Sequence, residues 1–286
     1  ELYLAQPTVS TQIKRLTEAV ETPLFEHVGR GVHLTEAGEA LLDAAREIFD
    51  ALDRVEMKVS DLKGLKQGYL RLGVITIAKY FAPGALGGFC KKYPGVEVSL
   101  EVTNREHLLE RLARNEDDLY ILGQMPRSDL DLEVIPFAPN PLHVMAHRKH
   151  PLASAGKIPL ERLRDEYFIM RESGSGTRAT VERMFAEKGL KPKVRMELGS
   201  NEAIKHAIMA QLGISVLSLH TVTLEAGSGP LAILDVEGFP IQRTWNVVYP
   251  KGKELSVVAK AFLEFLKGEE GKLAAKMDKT VKRLCR

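Results

Sequence analysis

The chain has 286 residues, 44% hydrophobic and 27% charged, enough apolar content for more than one buried core. No apolar run reaches the length of a bilayer-spanning helix, and the amino terminus lacks the charged start and apolar middle of an export signal, so a cytosolic protein is expected. A net charge of +2 argues neither for nor against nucleic acid, and because Glu1, Glu18, Glu21 and Glu26 oppose Lys14, Arg15 and Arg30, any DNA affinity is expected from where a few side chains point; two cysteines, Cys90 and Cys285, rule out a disulfide framework.

Leu2, Leu4 and Ala5 read as the end of a short helix, so the chain is expected to begin inside an element. Pro7 suits the first turn of the next helix, because its missing N–H has no partner there anyway. Thr8 to Val20 then carries Val9, Ile13, Leu16 and Val20 at helical spacing, opposite Thr8, Ser10, Thr11, Gln12, Lys14 and Arg15. One stripe is expected to pack. The other face has the short hydrogen-bonding groups and cations that major-groove contact needs, although an ordinary solvated face has the same pattern. Glu26 to Leu34 predicts a small hairpin with Arg30 between glycines at its tip.

Thr35 is placed to cap a long helix to Leu65, about 45 Å at roughly 1.5 Å per residue. Leu41, Ala45, Ile48, Leu52, Val55, Val59 and Leu62 step by four and three along it. That heptad seam predicts a coiled coil with a second copy.

Beyond Gly64 and Gln67-Gly68, strands and helices alternate, predicting an α/β body with a largely parallel sheet. The expected elements are strands 69–75, 96–102 and 118–122 with helices 79–92 and 105–114. A second set follows the proline-rich stretch 136–141: strands 167–170, 193–198 and 214–217 with helices 177–188 and 202–211. Strand 244–249 and helix 254–266 return the chain to the first lobe, and Lys272 to Arg286 reads as a solvated basic tail. Two lobes with two crossings make a hinged cleft.

In such a cleft, useful groups sit at the carboxyl ends of strands and the amino ends of helices. Thr76, the Thr103-Asn104-Arg105 turn, Glu172 to Arg178 and Gly199-Ser200-Asn201 qualify. In the third of these, two glycines free the backbone, hydroxyls add donors, and Arg178 adds charge for a phosphate or carboxylate. A plain helix cap fits the same spacing. The segment has neither the lysine of a phosphate-binding P-loop nor the spacing of a nucleophile elbow. His143, His147 and His150 straddle a strand and a turn and are expected not to share one face, so no metal is expected. No nucleophile–base set stands out, and no enzyme is expected. Trp245 reads as core or a dimer contact, and Cys90 as a packed thiol.

Gln6-Pro7-Thr8-Val9-Ser10-x-Gln12-Ile13, Pro23-Leu24-Phe25 and Leu34-Thr35-Glu36-Ala37-Gly38 resemble the recognition helix, turn and linker start of LysR-type transcriptional regulators. In the body, Asn104-Arg105-Glu106, residues 115–120, Gly174 to Arg178 and the run from Met196 to Lys205 are similar to the CbbR-type regulators of carbon-fixation (Calvin-cycle, RuBisCO) operons. The resemblance covers essentially the whole chain. It implies a winged helix-turn-helix, incomplete at its start, over 1–34. A dimerising linker helix over 35–68 and a type 2 periplasmic-binding-protein-like effector domain over 69–286 follow. The first lobe is expected at about 69–146 and 245–286, the second at about 147–244.

The resemblance further implies promoter DNA, RNA polymerase and a homo-oligomer, a dimer of dimers, as partners. The effector would be a small anionic metabolite, a phosphorylated sugar or acid, or NADPH, with no resident cofactor. Thr8, Ser10, Gln12 and Arg30, with Arg15 from the polar face, are expected at DNA. Thr76, Asn104, Arg105, Gln124, Glu172, Ser175, Thr177 and Asn201, with Arg178 from the anion-binding turn, are expected at the effector. His27 stands where the wing often has arginine. A regulator of another operon, or a solute-binding protein sharing the two-lobed body, are the alternative readings.

Overall fold

The computed structural model describes residues 5–29, 31–62, 67–123, 130–223 and 229–284. The chain divides into two compact units, Glu1–Leu62 and Lys63–Arg286.

In the first unit, α1 (Gln6–Val20) has Pro7 in its first turn and stops where Glu21 turns left-handed, with φ at 55°. Strands β1 (Phe25–Val28) and β2 (Gly31–Leu34) pair antiparallel, as the predicted hairpin requires. Arg30, expected at its tip, lies outside the described residues. The stripe expected to pack on α1 is uncovered: no residue of the helix is buried by the described chain, and Val9, Leu16 and Val20 are exposed.

Helix α2 (Glu36–Leu62) opens as predicted on Thr35, whose hydroxyl oxygen accepts from the Gly38 N–H at 3.1 Å and whose own O–H donates to the Pro23 carbonyl at 2.6 Å. Gly38 is required there, because a Cβ would lie 2.1 Å from the Leu24 carbonyl oxygen. The helix ends at Leu62, short of the expected Leu65, and residues 63–66 lie outside the described ones. Along the seam, Ile48, Leu52, Val55 and Val59 are 48–61% exposed. A single copy therefore leaves this stripe in water.

The second unit has two lobes. In the first, β3 (Gly68–Ile75) pairs parallel with β4 (Val96–Thr103) and with β5 (Leu119–Leu122). β12 (Thr244–Pro250) adds antiparallel to β5, and β6 (Leu132–Pro139) adds antiparallel to β12, giving the order β4-β3-β5-β12-β6. Helices α3 (Ala82–Lys92) and α4 (Arg105–Ala113) cover it. The core gathers Leu70, Leu72 and Val74 with Phe89, Phe262 and Trp245, and Trp245 is fully buried in it.

β6 was not expected. Pro136 and Pro139 fall in the proline-rich stretch for which no strand was expected, but an edge strand tolerates prolines because one of its sides has no ladder to donate to.

In the second lobe, β7 (Leu142–His147) lies between β10 (Ser215–Ser218) and β11 (Leu231–Leu234), all antiparallel. β8 (Tyr167–Arg171) and β9 (Lys193–Leu198) pair parallel, with α5 (Gly176–Glu187) and α6 (Asn201–Met209) beside them. The expectation of a largely parallel sheet therefore fails for this lobe, and β11 was also unforeseen. The expected boundary near 146 is corrected too, since β7 pairs only with second-lobe strands. His143 and His147, four apart on β7, do share a face, and His150 lies beyond the strand in the turn before Pro151.

Helix α7 (Val257–Leu284) corrects another expectation. The basic run after Lys272 is no solvated tail, because Met277 and Leu284 join the core of Met145, Ile204 and Leu231. One helix thus packs on both lobes.

Between the lobes the chain crosses twice, and the crossings pair with each other. The Asn140 N–H donates to the Arg243 carbonyl at 2.6 Å, and Leu142 and Ile241 exchange two backbone bonds at 3.0 Å. Asn140 is fully buried, and its side-chain oxygen accepts from the Ser218 hydroxyl at 2.6 Å.

Candidate functional site

A recess opens between the lobes beside these crossings. From the first lobe it is walled by Ile75, Thr76, Asn104, Arg105 and Leu122, at the carboxyl ends of β3 and β5 and the amino end of α4. From the second lobe it is walled by Arg171, Glu172, Ser175 and Thr177, at the end of β8 and the start of α5. Arg243 enters from the returning crossing. Strand ends and helix starts converge here because parallel strand–helix units point both at the same edge of the sheet.

Two helices present their amino ends. Asn104 caps α4, accepting from the His107 N–H at 2.9 Å. Ser175 caps α5, accepting from the Arg178 N–H at 3.5 Å. The capping and ligand readings of these turns are therefore compatible, since the same residues cap and line the recess. Thr76 also lines it while donating its hydroxyl to the Thr103 carbonyl at 3.1 Å. The Thr177 hydroxyl is 4% exposed with its residue and has no hydrogen-bond partner among the described residues. A buried donor left open on a recess wall is suited to a ligand.

Arg171 binds both oxygens of Glu172 at 2.6 Å, and its remaining nitrogen donates to Asn201 Oδ1 at 3.0 Å. That pair contributes no net charge. Burial lowers the Arg105 guanidinium from its ordinary value. Burial, then the charges of Arg105 and Arg183, push Arg243 down to about 10, so it stays cationic at neutral pH. Cations held close together favour an anion between them.

Two predicted residues stand elsewhere. Arg178 runs along the outside of α5, donating to Glu182 at 2.8 Å, to Glu197, and to the Arg171 carbonyl at 3.1 Å. Those carboxylates hold its proton more tightly than usual, and none of its atoms lines the recess. Asn201 is buried behind Arg171 and orients it, its side chain acting one layer away from the recess. Gln124 lies outside the described residues. Arg171 and Arg243 line the recess without having been foreseen. Arg171 ends a strand, which is a usable signal; Arg243 lies between elements, where nothing in spacing marks it.

On α1, Thr8, Ser10, Gln12 and Arg15 are all exposed, as a DNA-reading face requires. Among the described residues no three His, Cys, Asp or Glu side chains cluster to hold a metal, and no described helix is long and apolar enough to cross a membrane.

A head with an exposed polar helix and hairpin, a rod with an apolar seam, and a two-lobed body with an anion-friendly recess define a ligand-responsive DNA-binding regulator. Residues 1–39 match the bacterial regulatory helix-turn-helix protein, lysR family, and residues 63–270 match the LysR substrate binding domain. The chain belongs to the LysR family of transcriptional regulators.

It is 55% identical over 266 residues to the HTH-type transcriptional activator CmpR of Synechocystis sp. (strain PCC 6803), covering 93% of this chain and 87% of that one. It is 50% identical to the RuBisCO operon transcriptional regulator of Acidithiobacillus ferrooxidans, over 93% of this chain and 86% of the relative. A solved structure, the regulatory domain of Synechocystis PCC6803 CcmR in complex with 2-PG, is 53% identical and superposes with a TM-score of 0.69, over 71% of this chain and 97% of that one. Within the family, then, the similarity is to carbon-fixation regulators.

Proposed function

We propose that the inter-lobe recess binds a small phosphorylated carboxylate, 2-phosphoglycolate or a close analogue, and that this changes how the protein holds promoter DNA of carbon-fixation genes. The observation that carries the reading is the convergence of the Arg105 and Arg243 guanidinium groups and the open Thr177 hydroxyl on one recess. A phosphate and a carboxylate two carbons apart supply an anion for the cations and a second for the start of α5. The 2-PG bound by the CcmR domain at 53% identity supports the same class.

Binding rather than turnover is the role of the site. Among the described residues its one lining carboxylate, Glu172, is occupied by Arg171, and none of them stands as a base beside Ser175 or Thr177. The protein acts in the cytoplasm on promoter DNA with RNA polymerase. The exposed α2 seam joins two copies, and the pairs assemble as a dimer of dimers.

Calorimetry with 2-phosphoglycolate tests the effector. Wild type is expected to bind, and Thr177→Val to bind about tenfold more weakly, the effect of losing one hydrogen bond to a charged group at about 1.5 kcal/mol. Equal affinity in both would remove Thr177 from the site, and no binding by wild type would reject this effector.

A further inference from the structure

We propose that Tyr80, Glu202 and Lys205 form a latch across the two lobes, which holds them in the arrangement that completes the recess before any ligand enters. Such a latch acts whichever ligand the recess takes.

Both halves of the latch sit on segments already tied to the recess. In the first lobe, the short helical turn Thr76–Tyr80 begins on the recess wall and ends at Tyr80. In the second, α6 begins with Asn201, which orients Arg171 on that wall, and Glu202 is the next residue. The Tyr80 hydroxyl donates to Glu202 Oε1 at 2.6 Å, a short bond to a carboxylate between residues 122 apart in the chain.

Lys205 holds that carboxylate in place. Its side chain is buried, which is costly for an ammonium unless its charge and protons are matched. One turn after Glu202 on α6, it pairs with Glu202 Oε2 at 2.8 Å and donates to the Thr221 carbonyl at 3.0 Å. Its ammonium also stands 5.3 Å from the centre of the Tyr80 ring. Burial alone would raise the Glu202 carboxyl, but the hydrogen bonds from Lys205 and Tyr80 outweigh it and keep the group below its ordinary value. Tyr80 therefore meets an anion at neutral pH.

A second contact reaches the same place. Thr221 belongs to the second-lobe turn Leu219–Val222, whose His220 ring packs 5.4 Å from Phe81 and 5.8 Å from Trp245, both in the first-lobe core. Lys205 thus fastens the segment that carries His220, and Glu202 fastens Tyr80, the neighbour of Phe81. Parting the lobes takes the Tyr80 donor from Glu202 and uncovers the ring contacts together. Thr76 and Arg171 share one recess only while the lobes stay as they are, so a looser latch lowers the fraction of molecules ready to bind.

Hydrogen exchange of the ligand-free full chain tests the latch, followed in peptides covering 76–81, 201–212 and 215–222. Tyr80→Phe removes one oxygen and keeps the ring. It is expected to speed exchange about threefold or more in all three peptides, although only the first lobe is altered. Glu202→Gln is expected to act on the same segments, and the double variant no further than Glu202→Gln alone, because both remove one contact. Should Glu202→Gln not fold, Glu202→Asp takes its place, keeping the charge near Lys205 while withdrawing it from Tyr80. Faster exchange confined to 76–81, or effects that add in the double variant, overturn the latch.

Calorimetry with 2-phosphoglycolate is expected to give about fivefold weaker binding in folded Tyr80→Phe. A contact that only stabilises the fold would lower the melting temperature and leave this affinity alone, so wild-type affinity in that variant overturns the link to the recess. If wild type itself does not bind 2-phosphoglycolate, that effector is rejected, and the exchange pattern alone decides for or against the latch.

Discussion

Arg171 and Arg178 are seven residues apart and carry the same guanidinium, yet their neighbours give them different work. Arg171, 5% exposed, lines the recess with its charge cancelled by Glu172, while Arg178 lies on the outside of α5 between Glu182 and Glu197. Local spacing could flag Arg178 as a cation near a glycine turn, but not which way the side chain leaves the helix. Glu182, one helical turn on, and Glu197, on a neighbouring strand, decide that, and only the fold brings Glu197 near. Thr76, Asn104, Arg105, Ser175 and Thr177 were legible because strand ends and helix caps have positional rules. Arg243 was not, because a crossing segment has no such rule.

Two other buried side chains make stability depend on pH. Burial pushes His143 and His220 down to about 4, whereas in the unfolded chain both titrate near 6.5. Between those values the unfolded chain binds protons that the folded one refuses. Stability is therefore complete above pH 6.5 and is lost as pH falls toward 4, by about 1.4 kcal/mol per pH unit from each histidine. Denaturant melts at pH 7.5 and 5.0 should show this loss, and a His143→Gln variant should show a shallower one. An equal slope in both would contradict the assignment.

At the scale of elements, the helices and parallel strands of the body were readable because their apolar periods are regular and their ends carry caps. β6 was hidden by its own prolines, which an edge position permits, and the end of α7 by its lysines. In α7, Leu273, Met277 and Leu284 recur at helical spacing among five basic residues between Gly271 and the helix end, so charge content masked a packed stripe.

The turn into α2 shows the opposite case, a motif whose residues have a direct physical cause. Thr35 caps the helix and ties it to Pro23, and Gly38 lets the helix pass against Leu24. Gly38→Ala should destabilise the first unit by about 2 kcal/mol, as overpacking does, and weaken operator affinity with it. Wild-type unfolding and operator binding in that variant would show that the close approach is not needed.

For the whole molecule, the exposed seam of α2 and the hinged recess have to act together. Two copies joined along Ile48, Leu52, Val55 and Val59 cover a stripe that one copy leaves in water. Leu52→Glu should therefore shift the protein toward single copies in sedimentation and weaken its hold on a two-half-site operator by at least tenfold. Unchanged mass and affinity would place the dimer contact elsewhere.

Within the body, the lobes are linked by the paired crossings, by α7, and by the Tyr80 hydroxyl donating to Glu202 at 2.6 Å. A ligand can shift such a hinge only by its difference in affinity for the two arrangements, so binding alone does not establish control. The direct measurement is a footprint of the full chain on its own carbon-fixation promoter, with and without saturating 2-phosphoglycolate. The length or spacing of the protected region is expected to change with the ligand in wild type and to stay fixed in Arg243→Gln at the same concentration. A wild-type footprint that is identical with and without 2-phosphoglycolate, although the ligand is bound, would contradict effector control through the recess.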